Sequence, residues 1–194
     1  LPGEVFQDDQ FWYQEGQRTK HGKYEPIKHC KFWVDRIQAK ENTDIPEEVI
    51  NSIKKCIWRD KIYAERITCS IIRSYLKELK LTSYNNHIPL IRKKITNREP
   101  PQFTDRELKL IFMIFSRIVQ IFNQIKDQSN CKYYPFFIYK IIEQIVPESR
   151  RRDEILSCIH LQSSNTLIIN DGIWRNICEY MPEFKTNIKT TKPR

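Results

Sequence analysis

Glycine is almost absent from this chain. Gly3, Gly16, Gly22 and Gly172 are the four glycines in 194 residues, so residues 23–171 contain none. Phosphate-binding loops and dinucleotide fingerprints need glycine because the backbone must approach the phosphate closely, and tight β-hairpins need it for positive φ. The sequence therefore excludes P-loop and dinucleotide-binding folds.

Closely spaced cysteines are also absent. Secreted disulfide frameworks and zinc ribbons both use tight cysteine clusters. Here the cysteines stand far apart, without a CxxC pair, at Cys30, Cys56, Cys69, Cys131, Cys158 and Cys178. We therefore predict reduced, mostly buried thiols, and keep a metal site assembled from the distant His29, Cys30 and His87 as an alternative.

Long hydrophobic runs are missing as well. No stretch approaches the ~18 consecutive apolar residues that a membrane-spanning helix needs. Residues 1–23 lack the apolar centre of a signal peptide. These two absences predict a soluble protein without a membrane segment, in the cytosol or the nucleus.

Basic residues, in contrast, are plentiful. Lys and Arg number 33 against 24 Asp and Glu, which gives a formal net charge of +9. Such a balance favours polyanionic partners, because neutralising phosphates releases condensed counterions whatever the base sequence. Nucleic acid is thus the first partner to test, and a basic but unspecialised surface is the alternative.

Apolar residues recur at helical spacing through most of the chain. The longest such segment begins with a capping box, in which the Thr104 hydroxyl and the Glu107 carboxylate satisfy free backbone N–H groups. It is apolar on more than one face, which is typical of a helix surrounded by others. The pattern predicts helices at about 26–40, 46–57, 62–80, 87–95, 104–126, 135–146, 149–161 and 171–181.

The arrangement of these helices predicts an all-α fold. We expect an irregular multi-helix bundle around the central long helix at about 104–126. Three segments follow from the composition along the chain: an N-terminal arm at 1–23, a helical domain at 24–182 and a basic C-terminal tail at 183–194.

Several groups of cations are candidate nucleic-acid contacts. Lys54, Lys55 and Arg59 surround Trp58 and Tyr63, an interleaving that base stacking can use if the rings are exposed. Short cationic runs can contact phosphates. The other candidates lie near Trp33 or in such runs: Arg36, Lys40, Arg92, Lys93, Lys94, Arg150, Arg151 and Arg152. A solvated surface without a binding role is the alternative for each group.

No catalytic motif accompanies these cations. A nucleophile elbow, an HExxH helix and a kinase-like set are all missing. Adjacent carboxylates such as Asp153 and Glu154 point about 100° apart on a helix, so one pair rarely makes a two-metal site. We expect no enzyme and no metal here. A metal-dependent nucleic-acid enzyme stays as a minor alternative, which requires His29, Glu41 and His87 to gather with nearby carboxylates.

Ordered motifs give the chain a family resemblance. Tyr24, His29, Gln38 and Glu41 lie in the string YEPIKHCKFWVDRIQAKEN. Tyr84 and His87 lie in YNNHI. Further motifs are IPEEV at 45–49, PP-x-x-T-x-x-E at 100–107, YYPFFIYKI at 133–141 and LQSSNTLIINDGIWRNICEYM at 161–181. In this order and spacing, the motifs resemble the poxvirus late transcription factor 3-like family of large DNA viruses.

The resemblance implies a role in transcription. It implies a viral factor that activates late genes together with the viral RNA polymerase and other late transcription factors, in the host cytoplasm at the viral factory, with the nucleus as the alternative. DNA or RNA is the implied ligand, and no membrane is involved. Family members often carry a cysteine-rich zinc segment at the N-terminus; this sequence has no CxxC there, so either the segment lies upstream of this chain or this member lacks it, and zinc is expected only in the first case. The rival hypothesis is a protein-interaction adaptor that touches no nucleic acid.

Overall fold

The computed structural model describes residues 26–125, 134–161 and 163–184, which contain eight α-helices and no strand. The all-α prediction is confirmed. The predicted arm at 1–23 and residues 185–194 of the predicted tail lie outside the described residues. The helices are α1 (Pro26–Ile37), α2 (Glu47–Arg59), α3 (Cys69–Glu78), α4 (Ile88–Thr96), α5 (Asp105–Gln124), α6 (Tyr134–Ile145), α7 (Arg150–Ser157) and α8 (Ser164–Glu179), with 3₁₀ turns at Ala64–Arg66 and Thr82–His87.

The first hydrophobic core is built on α5. This helix packs against α1, α6 and α8, and α7 adds side chains to the same cluster. Fully buried members include Ile111, Phe115, Phe136, Ile138 and Trp174. Burial of side chains of this size stabilises the fold by about 1.5–3 kcal/mol each. Because 29 buried residues belong to this cluster, the larger of the two in the described chain, it is the larger source of stability.

A second core lies between α2, α3 and α4. Ile53, Ile72, Leu76, Ile88 and Ile91 are all fully buried there. Nearly all of this cluster comes from residues 39–91, and Cys158, just after α7, is the exception. Cys158 therefore marks a point where the two cores meet.

The structure corrects three expectations from periodicity. Met113 on α5 is 62% exposed, so other helices do not surround the central helix on every side. α3 begins at Cys69 rather than near 62, because the Thr68 hydroxyl accepts a hydrogen bond from the Ile71 N–H and caps the helix there. α8 begins at Ser164 rather than at 171, so Asp171 lies inside the helix.

The thiols behave as the sequence predicts within the described residues. Cys30, Cys56, Cys69, Cys158 and Cys178 are free and buried, whereas Cys131 lies outside the described part of the chain. Among the described helices, none combines the length and the apolar character needed to cross a membrane.

Several helices end without the usual glycine. Ala39, Lys61 and Lys80 follow α1, α2 and α3 with φ between 54° and 58°, the left-handed region. After each of them the next N–H reaches back to a carbonyl five residues earlier, for example Leu81 N to Leu76 O at 2.8 Å. This is the Schellman arrangement, which glycine adopts at lower cost than other residues.

Lys80→Gly should therefore raise the stability of the chain. Relief of the left-handed strain outweighs the added freedom of the unfolded state, and we expect a gain of about 0.5 kcal/mol in the free energy of unfolding by urea titration. Lys109→Gly, an exposed position inside α5, should instead lose about 0.5–1 kcal/mol. A loss of stability in Lys80→Gly would contradict this account.

Candidate nucleic-acid interface

One face of α2 combines exposed aromatic and cationic side chains. The opposite face carries the buried Val49, Ile50 and Ile53, which holds the helix in a fixed orientation on the second core. Trp58, four residues after Lys54, shares its face. Trp58 is 86% exposed, and Tyr63 is 75% exposed. We call the exposed set the Trp58 surface; it comprises Lys54, Lys55, Trp58, Lys61, Tyr63 and Arg66.

The Arg59 guanidinium, in contrast, forms ion pairs with two carboxylates. Its guanidinium contacts Asp60 at 2.9 Å and Glu78 at 2.5 Å, and the Tyr75 hydroxyl donates to Asp60 at 2.6 Å. Hydrogen bonds from Arg59 and then Tyr75 lower the pKa of Asp60 to about 2. Asp60 is therefore ionised at neutral pH. Arg59 ties the end of α2 to α3, and it is not a free cation for phosphate.

The basic end of α4 lies beside the Trp58 surface. Arg92 Nε donates to the Ile67 carbonyl at 2.8 Å, and Arg98 contacts Glu65 at 3.4 Å. Lys93 pairs with Glu99 at 3.0 Å. Lys94 is exposed. Lys94 is therefore the exposed member of this run, whereas Arg92 and Lys93 contact other residues of the chain.

The arginine run at the start of α7 is mainly structural. Arg151 makes two hydrogen bonds to Glu107, at 2.8 and 2.6 Å, and donates to the Gln102 carbonyl at 2.9 Å. Arg152 contacts Glu148 at 3.4 Å and is mostly buried. Arg150 has a side chain that is 94% exposed. Arg151 and Arg152 are thus held by contacts within the chain, and Arg150 is the most exposed of the three.

Arg151→Ala should destabilise the chain. Arg151 holds α7 against the capping box of α5, where Glu107 also accepts from the Thr104 N–H at 2.9 Å, and the Arg151 hydrogen bonds lower the pKa of Glu107. Partial solvent exposure limits the expected loss to about 1–2 kcal/mol in urea unfolding. Arg150→Ala is the matched control, with a change within about 0.5 kcal/mol. Equal losses in the two variants would remove the structural role.

The candidate cations near Trp33 do not lie together on α1. α1 ends at Ile37, so Lys40 lies beyond it, exposed. Arg36 is 5% exposed, with its guanidinium 4.2 Å from the Phe32 ring centre. His29 is half-buried against Tyr134, and burial lowers its pKa. A buried Arg36 cannot meet a phosphate, so this group reduces to Lys40.

Most of the family-motif residues make internal contacts. The Gln38 side chain accepts from the Phe103 N–H at 2.9 Å, 65 residues away. His87 Nδ1 lies 2.5 Å from the Glu41 carboxylate, with both side chains largely buried. Tyr84 packs on the second core. These contacts join distant loops, so the motif marks a structural connection. Tyr24 lies outside the described residues.

A small pocket lies where α1 meets the Thr82–His87 turn. Its cavity volume is about 20 Å³, and its lining includes Trp33, Arg36, Asn85, Asn86, Cys158 and His160. The side-chain oxygens of Asn85 and Asn86 are buried without a hydrogen-bond partner in the described part of the chain. Nothing in the sequence pattern marks these residues as neighbours, since they come from three separate segments.

The three residues required by the nuclease alternative do not gather. His87 pairs with Glu41, whereas His29 lies against Tyr134. Within residues 26–125, 134–161 and 163–184, no three His, Cys, Asp or Glu side chains are grouped so that they could hold a metal ion. The described residues therefore do not provide the ligand cluster on which that alternative depends.

Fold and surface together define an all-α domain whose second core presents an exposed aromatic patch among lysines. The chain belongs to the poxvirus late transcription factor family of large DNA viruses, because its residues 18–186 match the family described as "Poxvirus Late Transcription Factor VLTF3 like". The family resemblance read from the motifs is confirmed.

Relatives with this segment occur in several large DNA viruses. "Zinc finger protein B385R" of African swine fever virus is 34% identical over 196 residues, which cover 95% of this chain and 51% of that protein. "Putative transcription factor R429" of Acanthamoeba polyphaga mimivirus is 30% identical over 81% of this chain and 36% of its own length. This chain thus spans about half or less of these relatives. No solved structure matches it.

Proposed function

We propose that this chain is a domain of a viral late transcription factor that binds single-stranded nucleic acid through the Trp58 surface. It would act with the viral RNA polymerase and other late factors, at the viral factory in the host cytoplasm. The family membership and the names of relatives as transcription factors support the setting. The proposal requires no catalysis and no metal from this chain.

The exposure of Trp58 is the observation that carries the proposal. An indole that is 86% exposed loses the transfer free energy that its burial would provide, about 25 cal/mol for each Å². Its neighbours Lys54, Lys55 and Lys61 make no ion pair with any described residue. Rings that lie open among free cations suit base stacking with phosphate contacts on either side.

Stacking on Trp58 and Tyr63 also favours single strands over duplex. Bases in a duplex already stack on one another, and flipping one out costs a few kcal/mol. A melted promoter or a nascent transcript presents unstacked bases at no such cost. The domain should therefore bind single-stranded DNA or RNA more tightly than duplex DNA of the same length.

A salt series tests this proposal directly. Fluorescence anisotropy of a labelled single-stranded oligonucleotide would report affinity. If about five phosphates are met, the logarithmic slope is about −3.5, so affinity should fall about 100-fold between about 50 and about 200 mM salt. A flat salt response would remove nucleic acid as a direct ligand.

A second candidate function rests on α8. Ile168 and Ile169 are 68% and 57% exposed, and exposed neighbouring apolar side chains are typical of protein contact sites. An adaptor would use this face to hold a component of the transcription machinery. Pull-down from infected-cell extract, with and without nuclease, separates the two functions. Recovery of polymerase that survives nuclease but is lost in Ile169→Asp favours the adaptor; recovery lost on nuclease treatment favours nucleic acid.

A further inference from the structure

The first residues of the chain carry a charge opposite to that of the rest. Residues 1–17 contain no Lys or Arg and four carboxylates, those of Glu4, Asp8, Asp9 and Glu15. All 33 Lys and Arg and the other 20 of the 24 Asp and Glu lie in the remaining residues. Three consecutive aromatic residues occupy positions 11–13. We call residues 4–15 the acidic segment. It lies outside the described residues, so its composition and its distance along the chain from α1 indicate what it can bind.

The Trp58 surface is complementary to this composition. Its cations Lys54, Lys55, Lys61 and Arg66 are exposed, and they form no ion pair within the described part of the chain. Carboxylates brought next to them gain Coulomb energy. Aromatic pairs contribute about 0.5–1.5 kcal/mol beyond the area that they bury. The acidic segment therefore offers this surface the two contacts that nucleic acid would offer, negative charge and flat rings.

The other exposed aromatic position is a poorer match. Among the described residues, Trp58, Tyr63 and Tyr180 are the exposed aromatic residues. Tyr180 directly follows the exposed Glu179. Arg117, whose guanidinium lies 3.4 Å from the Tyr180 carbonyl, is already paired with Glu183. The acidic segment would meet a like charge and a neutralised cation there, so the Trp58 surface is the better partner.

The chain is also long enough for this contact. Residues 14–25 join the acidic segment to Pro26, the first residue of α1, and can span up to about 40 Å when extended. A folded chain of this length has a diameter of about 40 Å. The second core follows α1 directly, since Ala39 and Ile45 already belong to it. A tethered segment has an effective concentration on the order of 1 mM, so even a weak contact is populated.

We propose that the acidic segment binds the Trp58 surface and competes there with single-stranded nucleic acid. Its carboxylates take the place of phosphates beside the lysines, and its aromatic residues take the place of bases. The apparent affinity for nucleic acid falls in proportion to the fraction of molecules whose surface is open. Coverage in about 70–90% of molecules lowers it about 3-fold to 10-fold. This competition rests on the proposed function, whereas the contact itself can be measured without nucleic acid.

Carbodiimide cross-linking of the whole chain tests the contact. The reagent joins a carboxylate to a lysine amine where the two touch, and mass spectrometry identifies the bridged peptides. We expect bridges from Asp8 or Asp9 to the lysines of the Trp58 surface. Lys109, exposed on α5, is the internal control and should form none. Absence of bridges from the acidic segment, or bridges to Lys109 in equal yield, would overturn the proposal.

The same experiment identifies the occupant of the surface. In a mixture of unlabelled and ¹⁵N-labelled chains, bridges should join peptides with the same label. Bridges between differently labelled peptides would make a second copy the occupant and would overturn the tethered contact. A saturating single-stranded oligonucleotide should suppress the bridges, because it occupies the same lysines. Bridges that persist at saturation would contradict the competition.

Trp12→Ser combined with Tyr13→Ser tests the competition at constant charge. Affinity for the labelled single-stranded oligonucleotide should rise by up to about 3-fold to 10-fold, because the segment no longer covers the surface. Fluorescence anisotropy measures this change. An unchanged or lower affinity would overturn the proposal, since aromatic residues that themselves bound nucleic acid would give a loss.

Asp8→Asn combined with Asp9→Asn tests the contribution of charge. We expect a rise in affinity of about 3-fold or more. Asp153→Asn combined with Glu179→Gln is the matched control, because it removes the same charge from exposed positions on α7 and α8. An equal gain in both variants would mean general repulsion of nucleic acid and would overturn the competition.

The two readouts fail separately. Bridges in a chain that binds no oligonucleotide would overturn the proposed function and the competition but leave the contact in place. Oligonucleotide binding without bridges, and without a gain in either variant of the acidic segment, would overturn the contact and leave the proposed function in place.

Discussion

Trp58→Ala should weaken binding of single-stranded nucleic acid by about 5-fold to 100-fold, because stacking of one base on an aromatic side chain contributes about 1–3 kcal/mol. Trp58→Phe should retain most of the affinity, since any aromatic ring offers a stacking face. The salt slope should stay unchanged in both variants, because neither removes a phosphate contact. Anisotropy titrations of the labelled oligonucleotide at a series of salt concentrations measure both quantities.

The design separates loss of binding from loss of folding. Trp58 is so exposed that its removal should change the free energy of unfolding by no more than about 0.5 kcal/mol. Met113→Ala is the matched control, since Met113 is also a large exposed side chain, but it lies on the solvent-facing side of α5, away from α2 in sequence. Should Trp58→Ala bind as tightly as Met113→Ala, the Trp58 surface is not the binding site.

Lys140→Met should be among the most destabilising substitutions at neutral pH. The Lys140 side chain is 1% exposed on α6, with its Nζ 3.3 Å from Glu143 and 3.5 Å from Asp171 on α8. Removing one partner leaves buried carboxylates without this counter-charge, which costs about 3–5 kcal/mol. For a chain of this size, the melting temperature should fall by roughly 6–20 °C, measured by calorimetry or circular dichroism.

The destabilisation in Lys140→Met should shrink in acid. Burial raises the pKa of Glu143, and Lys140 opposes this shift, so in the variant the pKa of Glu143 should rise further. A carboxyl with a raised pKa in the folded state binds its proton more readily folded than unfolded. Protonation therefore favours folding as pH falls through this pKa toward the ordinary value of 4.5. The variant should be closer to the unsubstituted chain at pH near 5 than at pH near 7.

A second substitution checks the cause. When Lys140→Met is combined with Glu143→Leu, the buried carboxylate that had lost its counter-charge is also gone, so part of the lost stability should return. If the double variant is as unstable as the sum of both single losses, packing rather than charge explains the effect. A deficit that does not change with pH would lead to the same conclusion.

Helix positions were largely predictable, because the information is local. The capping box at Thr104 and Glu107 forms as predicted, with the Glu107 N–H 3.1 Å from the threonine hydroxyl. The errors occur where competing local signals exist. Thr68 caps α3 later than the apolar pattern indicates, and α8 begins at Ser164, seven residues before the predicted start at 171.

The candidate binding surface was predictable only in part. The cluster around Trp58 is visible in sequence because its members lie within one helix and one turn. Whether the indole was exposed was open, since Trp58 could equally have packed beneath its neighbours. Exposure depends on which face of α2 meets α3 and α4, and three buried residues, Val49, Ile50 and Ile53, fix that face.

Local spacing of apolar and capping residues is thus enough to specify an all-α chain, because helix formation depends on neighbours three or four positions apart. The +9 net charge and the ordered family motifs are likewise determined by the sequence alone. The set of cations left free for a ligand depends on packing. Arg59 pairs with Glu78, 19 residues away, and Arg151 pairs with Glu107, 44 residues away. Only the tertiary structure brings such ion-pair partners together, so the sequence does not show which cations are neutralised.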